Sequence, residues 1–399
     1  MELGGSQLNA VELAGAVRDR GHEVAVYADE GVLVDELHSR GLRYEPAVRS
    51  RMRPGPARAV GLARLARAVR ADVVHGYEWP PALEAWAATA TAPRTAAVVT
   101  VMSMAVAPFL PSSMPLVVGT ARIQRAVAST RSGRTDVIEP PVDTVANRSG
   151  PYADEFRQTY GLDPGIPTVV VVSRLAPELK LEGILTAVRA VGRLASSRPL
   201  RLVIVGDGPA RDRVAIAASA ANAQSGYRAV VMTGSLSDPR GAYDAADVAL
   251  GMGGSALRAL AFAKPLVVQG EGGFFDVLTE GTVGTFLRDG WYGVGSDTEP
   301  AAAEAQFVRA LEPLLDDVAL RRRLGAYGRA LVESRFSLAA AAEQLEGVYR
   351  EAWAARPTVP RRLADGVTAG AGLVAYKVQR RRQRRSGTVA LDDFNARPV

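Results

Sequence analysis

Arg174 and Lys180 stand six residues apart in "VVSRLAPELKLEG" (171–183), just past an apolar run that reads as a buried strand. Arginine offers a planar fork of donors and lysine a compact point charge. Converging from one loop, the two can neutralise a diphosphate. The competing reading is a pair of solvated loop charges. Lysine is scarce here: the others are Lys264 and Lys377, and the remaining 45 of 48 basic residues are arginine. Glycine turns recur along the chain: Gly4 and Gly5 in "GGS", Gly206 and Gly208 in "VIVGDGP", and Gly253, Gly254 and Ser255 in "GMGGSALRALAFAKPLVV". Glu271, Gly272 and Gly273 follow in "GEGGFFD". A glycine turn that opens a helix presents backbone N–H groups and the positive end of the helix dipole to an anion. The stretch 251–268 has no carboxylate, and Arg258 stands in its helix. That arginine either binds a phosphate or forms a surface salt bridge. Glu271 and Asp276 are the nearby acids that could accept from sugar hydroxyls.

The elements that must hold these residues alternate between helix and strand. Residues 6–21 carry apolar side chains at helical spacing and stop at Gly21; 22–28 read as a strand, 31–41 and 57–71 as helices, and 72–77 as a buried strand. After a Pro/Asn/Ser/Gly-rich linker at 139–151 the pattern restarts, with strands at 168–175, 200–209, 228–236, 246–253 and 265–273. Helices between short apolar strands imply βαβ units and parallel sheets, whose ligands bind beyond the carboxyl ends of the strands. One element is missing. A doubly wound domain begins with a strand, yet "GGS" has only "MEL" ahead of it, so either the first sheet lacks its first strand or the true start lies upstream.

Composition narrows the function classes. A 399-residue chain with 48% hydrophobic and 23% charged residues suits about two globular domains. With no cysteine and three histidines, thiolate metal sites, disulfides and a cysteine nucleophile are excluded, and no metal is expected. The net charge of +6 is concentrated in residues 371–399, which carry seven basic and two acidic side chains. No signal peptide is visible, and the apolar stretch 96–111 is too short and too interrupted for a spanning helix. A cytoplasmic protein is expected, at the inner face of the membrane if the basic tail touches lipid.

The order of motifs from 168 to 285 resembles the donor domain of retaining family 4 glycosyltransferases, which have the GT-B fold. It runs "SRL…K..G", "LVIVGDGP", "VVMTG", Tyr243–Ala246–Asp247, the glycine turn with "ALRALA", "KPLVV", then Gly272–Gly273. "FSLAAAAEQLEGVY" (336–349) is similar to the family's closing helix, and residues 4–24 to its opening glycine loop and helix. The resemblance implies two Rossmann-like doubly wound parallel-sheet domains facing across a cleft, the first without its opening strand. The expected limits are 1–145 for the acceptor side, 146–337 for the donor domain, 338–356 for the closing helix and 357–399 for a flexible basic tail.

The activity implied is retaining, metal-independent transfer of a hexose from a UDP- or GDP-linked sugar, as co-substrate, to a small-molecule, glycan or lipid-linked acceptor. Arg174 and Lys180 would stabilise the leaving diphosphate. Gly4, Gly5, Gly206, Gly208, Gly253, Gly254, Ser255, Arg258, Glu271, Gly272 and Gly273 would line the donor site. The family's paired glutamates fall on Leu250 and Arg258, and the run from Asp247 to Gly253 is short for the usual loop. His75 is the candidate for the acceptor-side histidine, against a packed polar residue. Arg49, Arg51 and Arg53 either grip a phosphorylated or lipid-linked acceptor or form a solvated loop. "GLVAYKVQRRRQRR" reads as a contact with anionic lipid or a disordered tail, not a nucleic-acid reader. The alternative is a catalytically silent GT-B-like scaffold or partner subunit.

Overall fold

The computed structural model describes residues 4–386 except 93, 104, 297 and 298. Two compact units emerge: one holds the residues up to Pro140 together with those from Leu338 onward, the other Pro141–Ser337. The first unit runs α1 (Gly5–Asp19), β1 (Ala25–Ala28), α2 (Leu33–Ser39), β2 (Arg43–Pro46), α3 (Pro56–Ala68) and β3 (Val73–Tyr77). It continues with α4 (Trp79–Thr89), β4 (Ala96–Val101), β5 (Leu116–Val118), α5 (Ala121–Val127) and β6 (Thr135–Val137). The second unit begins with α6 (Tyr152–Tyr160), β7 (Thr168–Val172), α7 (Leu181–Leu194), β8 (Arg201–Val205), α8 (Arg211–Ser225) and β9 (Val230–Gly234). Then come α9 (Arg240–Ala245), β10 (Val248–Gly251), α10 (Gly253–Ala261), β11 (Leu266–Gln269), β12 (Phe275–Val277), α11 (Val283–Asp289), α12 (Pro300–Asp316) and α13 (Val318–Arg335). The chain returns to the first unit with α14 (Leu338–Ala354) and α15 (Val359–Arg385).

The second unit is a six-stranded sheet in the order β12-β11-β10-β7-β8-β9, parallel except for the short β12. "TVVVV" and "RLVIV" form its centre because β-branched runs suit strands covered by helices on both faces. Val169, Val171, Ile184, Val188, Leu202 and Ile204 are wholly buried there. Each such side chain contributes about 1.5–3 kcal/mol of transfer free energy. Strand order reverses between β7 and β10, which lie side by side although β8 and β9 separate them in sequence. Open parallel sheets bind ligands at that switch point.

The first unit is divided differently. Its strands fall into a parallel pair, β1-β2, and a parallel sheet, β3-β4-β5-β6. Among the described residues α1 is the first element, and β1 and β3 are end strands of their two sheets. α14 packs Leu338, Ala342, Leu345 and Val348 into the same core as Leu13 and Val17 of α1.

Residues 359–385, expected within the flexible basic tail, are instead a helix. Its start has a proline in the first turn, where no N–H is needed. Tyr376 packs edge-on against Trp79 and at a tilt against Phe109, Arg362 donates to the Thr89 carbonyl at 2.9 Å, and Asp365 accepts from Ser112 at 3.1 Å. Gly366, Gly370 and Gly372 weaken the helical pattern in the sequence. Gly372 is explained by packing, since a Cβ there would lie 2.8 Å from that of Phe109. Residues 387–399 of the expected tail lie outside the described residues. No helix among the described residues is long and apolar enough to cross a membrane.

Candidate active site

The carboxyl-end loops of the second unit are stitched into one surface. After β7, Ser173 donates its N–H to Val205 at 2.9 Å and Leu175 to Asp207 at 2.9 Å, lacing the Arg174 loop to the turn after β8. Gly206 is glycine for this reason: its φ is +143°, and a Cβ would lie 1.9 Å from the Ser173 carbonyl oxygen. Gly208 approaches Leu175 in the same way. These two glycines shape the loop that carries Arg174.

Lys180 caps α7 immediately after Leu179, whose φ of 63° is left-handed and strained for a non-glycine residue. Burial first, and the Arg174 charge second, hold the Lys180 ammonium below the usual lysine range. Two cations therefore share one partly dehydrated loop at the switch point. Lys264, by contrast, donates to the Asp244 carbonyl at 2.8 Å and joins α9 to the strand connection.

Glu182, two residues beyond Lys180, accepts from the Gly273 N–H at 2.9 Å. That bond brings the Gly272–Gly273 turn to the first turn of α7. The sequence placed Glu182 in the right segment, but nothing in its spacing marked it as the link. Gln269, at the end of β11, is 1% exposed, and neither side-chain polar atom has a hydrogen-bond partner among the described residues. A Cβ on Gly183 would lie 2.7 Å from its Oε1, so the amide lies against the start of α7. Glu271 accepts from the Tyr292 hydroxyl, and its backbone pairs with Gly293 at 3.1 Å and Gly295 at 2.8 Å. Its carboxylate is thereby engaged in holding the 291–295 loop. Asp276 lies on β12, where burial raises its carboxyl.

β10 passes to α10 through Met252 alone, so no loop intervenes that could carry an acid. Leu250 is a buried strand residue, 2% exposed. Gly253 donates to the Trp291 carbonyl at 2.9 Å, and the Ser255 hydroxyl donates to the Met252 carbonyl at 3.0 Å, closing the first turn of α10. The Arg258 guanidinium reaches back over this turn: its Nη1 would lie 3.5 Å from a Cβ on Gly254. A cation at a helix N-terminus opposes the dipole, and a bound anion relieves it.

The first unit holds a separate cluster. Glu78, at the end of β3 with a φ of 66°, accepts from Ser6 at 3.0 Å, the Met102 N–H at 3.0 Å and Ser103 at 2.8 Å. Burial raises its carboxyl, and these hydrogen bonds oppose the rise. Sequence reading overlooked Glu78, although its place just past "DVVHGY" is a strand-end signal. Gly4 and Gly5 open α1 beside Ser6, and a Cβ on Gly5 would meet open space.

His75 sits in the middle of β3, with Nδ1 2.7 Å from the Tyr349 hydroxyl and Nε2 2.7 Å from the Thr100 hydroxyl. Burial depresses its pKa to about 3. Both nitrogens serve the packing of β3 against β4 and α14, which leaves the ring no free atom for proton transfer. Of the arginine loop, Arg53 pairs with Asp29 and Arg49 lies 3.5 Å from Glu30, while Arg51 is exposed.

Comparison with known proteins agrees with the fold. Residues 3–173 match the family model described as Glycosyltransferase Family 4, and residues 166–317 match Glycosyl transferases group 1. An alpha-D-kanosaminyltransferase of Streptomyces kanamyceticus is 30% identical over 222 residues, covering 52% of this chain and 50% of that protein. The chain thus matches about half the length of that curated relative. A glycosyltransferase from Rickettsia africae superposes with a TM-score of 0.67 at 17% identity, covering 88% of this chain and 95% of that one. HepE of Anabaena, solved with UDP and glucose, gives 0.63 at 17% identity over 87% and 96% of the two chains. The two family matches run without a break from residue 3 to residue 317, and the chain belongs to the family 4 glycosyltransferases of GT-B fold.

Proposed function

We propose that the protein transfers a hexose from UDP-hexose to a small-molecule, glycan or lipid-linked acceptor with retention at the anomeric carbon. The observation that carries this reading is the pairing of Arg174 and Lys180 at the β7/β10 switch point, with the Gly272–Gly273 turn held beside them by Glu182. In this reading the two cations hold the diphosphate. The bond from the anomeric carbon to the diphosphate oxygen breaks with its electron pair leaving on the phosphate. The acceptor oxygen bonds to the same face of that carbon, and its proton passes to the leaving phosphate. Charge stabilisation of the leaving group is then the main catalytic contribution. Arg258 adds a third cation from the start of α10. UDP is favoured over GDP because HepE, of the same fold, was solved with UDP.

α15 supports a peripheral membrane contact for the same enzyme. Val359, Leu363, Val367, Val374 and Val378 are exposed and share one side of the helix, and Arg380, Arg381, Arg382 and Arg385 end it. An exposed apolar stripe with a cationic end suits an anionic lipid surface.

The test is a titration of UDP, GDP, ADP and TDP against the protein and against an Arg174→Ala/Lys180→Ala double variant. Thermal shift is the readout, followed by turnover with the matching nucleotide sugar and assignment of the product anomer. Saturation at 100 times Kd stabilises by about 2.7 kcal/mol. A UDP shift lost in the double variant supports the reading. No shift with any nucleotide would favour a scaffold that has lost donor binding, a reading suggested by the carboxylate-free passage from β10 to α10.

A further inference from the structure

α15 lies antiparallel along α4. Arg362 donates to the Thr89 carbonyl at 2.9 Å, a Cβ on Gly366 would lie 4.0 Å from Nε1 of Trp86, and the Tyr376 and Trp79 ring centroids are 6.0 Å apart. Contacts step backwards through α4 as α15 advances. α4 itself leaves the carboxyl end of β3, where Trp79 opens it immediately after Glu78. The last part of α15 therefore arrives at the carboxyl end of the β3-β4-β5-β6 sheet, the end at which parallel sheets bind ligands.

The sequence makes that arrival cationic, and two of the cations stand apart from the rest. Lys377 follows Tyr376 directly, and Arg381 comes one turn later. Both line the cavity that also touches Ser6, Glu78, Trp79 and Ser103. Neither forms an ion pair among the described residues, whereas Arg53 and Arg58 of the same cavity are engaged by Asp29. Like charges at this spacing face one spot on a helix and repel each other, and an anion between them relieves the repulsion. Val374 and Val378, both exposed, fall on the same side of the helix at the same spacing. The stems of Lys377 and Arg381 thus extend the apolar stripe, while their charged heads stand at its edge. A ligand that meets both features carries a phosphate and a hydrocarbon tail.

We propose that the acceptor is a membrane lipid whose polar head carries a phosphate monoester, and that Lys377 and Arg381 bind that phosphate. The inference rests on the transferase reading above, and names the acceptor class and the residues that select it. The lipid stays in the surface on which α15 lies, and its head enters the cavity beside Trp79.

The test compares two kinds of phosphatidylcholine vesicle. One contains about 20% phosphatidic acid, a phosphate monoester, and the other enough phosphatidylglycerol, a diester, to match its surface potential. The full chain should bind the monoester vesicles at least about fivefold more tightly. Arg382→Gln/Arg385→Gln should keep that preference, and Lys377→Gln/Arg381→Gln should lose it, although both variants give up the same charge. Equal binding of the two vesicles by the wild type overturns the proposal, as does a preference that survives in Lys377→Gln/Arg381→Gln. Should that variant not fold, Arg381→Gln alone, at an exposed residue, carries the same comparison. Displacement from the vesicles by glycerol 3-phosphate at equal phosphate concentration would assign the pair to a soluble phosphate ester and overturn the lipid source. The UDP thermal shift keeps the two readings apart, since it should be unchanged in Lys377→Gln/Arg381→Gln. A wild type without a UDP shift sinks the transferase reading, whereas the head-group preference is read from the vesicles alone.

Discussion

A lysine buried beside an arginine destabilises the empty site, and an anion between them removes that repulsion. Lys180 therefore separates stability from function. Replacing it with methionine keeps the packing of the alkyl stem and removes both the desolvated charge and its repulsion with Arg174. Lys180→Met should melt at the wild-type temperature or slightly above it in the absence of nucleotide, while turnover falls about 10²–10³-fold. A variant that melts lower and keeps its turnover would make Lys180 a structural cation. His75 likewise sits where burial favours its neutral form, and its buried ring is neutral near pH 7. Its pKa falls from an ordinary 6.5 to about 3 on folding. Its contribution to stability is complete above 6.5 and is lost as the pH falls towards 3, because only the unfolded chain takes up the proton. The slope is at most about 1.4 kcal/mol per pH unit. Denaturant midpoints measured from pH 7 to pH 4 should fall less steeply in His75→Gln than in the wild type. Equal slopes would show that other groups govern the acid limb.

At the scale of elements, the strongest patterns were readable and the weak ones were not. The βαβ alternation of the second unit was visible because "TVVVV" and "RLVIV" are buried β-branched runs and each strand runs into a loop with glycine or serine. β5 and β6 have three residues each, too few to show a period, and "TDV" in β6 carries a charge. α15 was hidden by its glycines, and its buried side was legible only once Trp79 and Phe109 were placed opposite Tyr376. The candidate site was read in part: Arg174 and Lys180 stood out by residue type, whereas Glu182 and Glu78 act through hydrogen bonds to residues distant in sequence. The other side of α15 leads to a prediction. Serine at Leu363, Val367 and Val374 should leave the fold intact, because these side chains are exposed. Co-sedimentation with vesicles containing about 30% anionic lipid should fall severalfold in that triple variant, and should also fall at high salt. Binding unchanged by the substitutions but abolished by salt would assign the contact to the arginines alone.

At the scale of the molecule, the proposed reading divides the work between separate sets of residues in the two units. Every side chain assigned to the diphosphate lies in the unit Pro141–Ser337, while Glu78, His75 and α15 belong to the other. The charges of Arg174 and Lys180 are held by β7 and α7, whose neighbours β8 and β10 complete the switch point within one sheet. A ligand that binds only the folded form of a unit slows the opening of that unit by the full binding free energy, and affects others only through coupling. Saturating UDP should therefore slow hydrogen exchange most in the loops 173–182, 206–210, 252–258 and 271–273. It should slow exchange through β7, β8 and β10 by about a hundredfold at 100 times Kd. The amides of β4 and α14, in the other unit, provide the contrast. Slowing confined to the second unit places the nucleotide where the cations are. Slowing centred on Gly4, Ser6 and Glu78 would move the anion to the start of α1 and reverse the assignment of donor and acceptor sides.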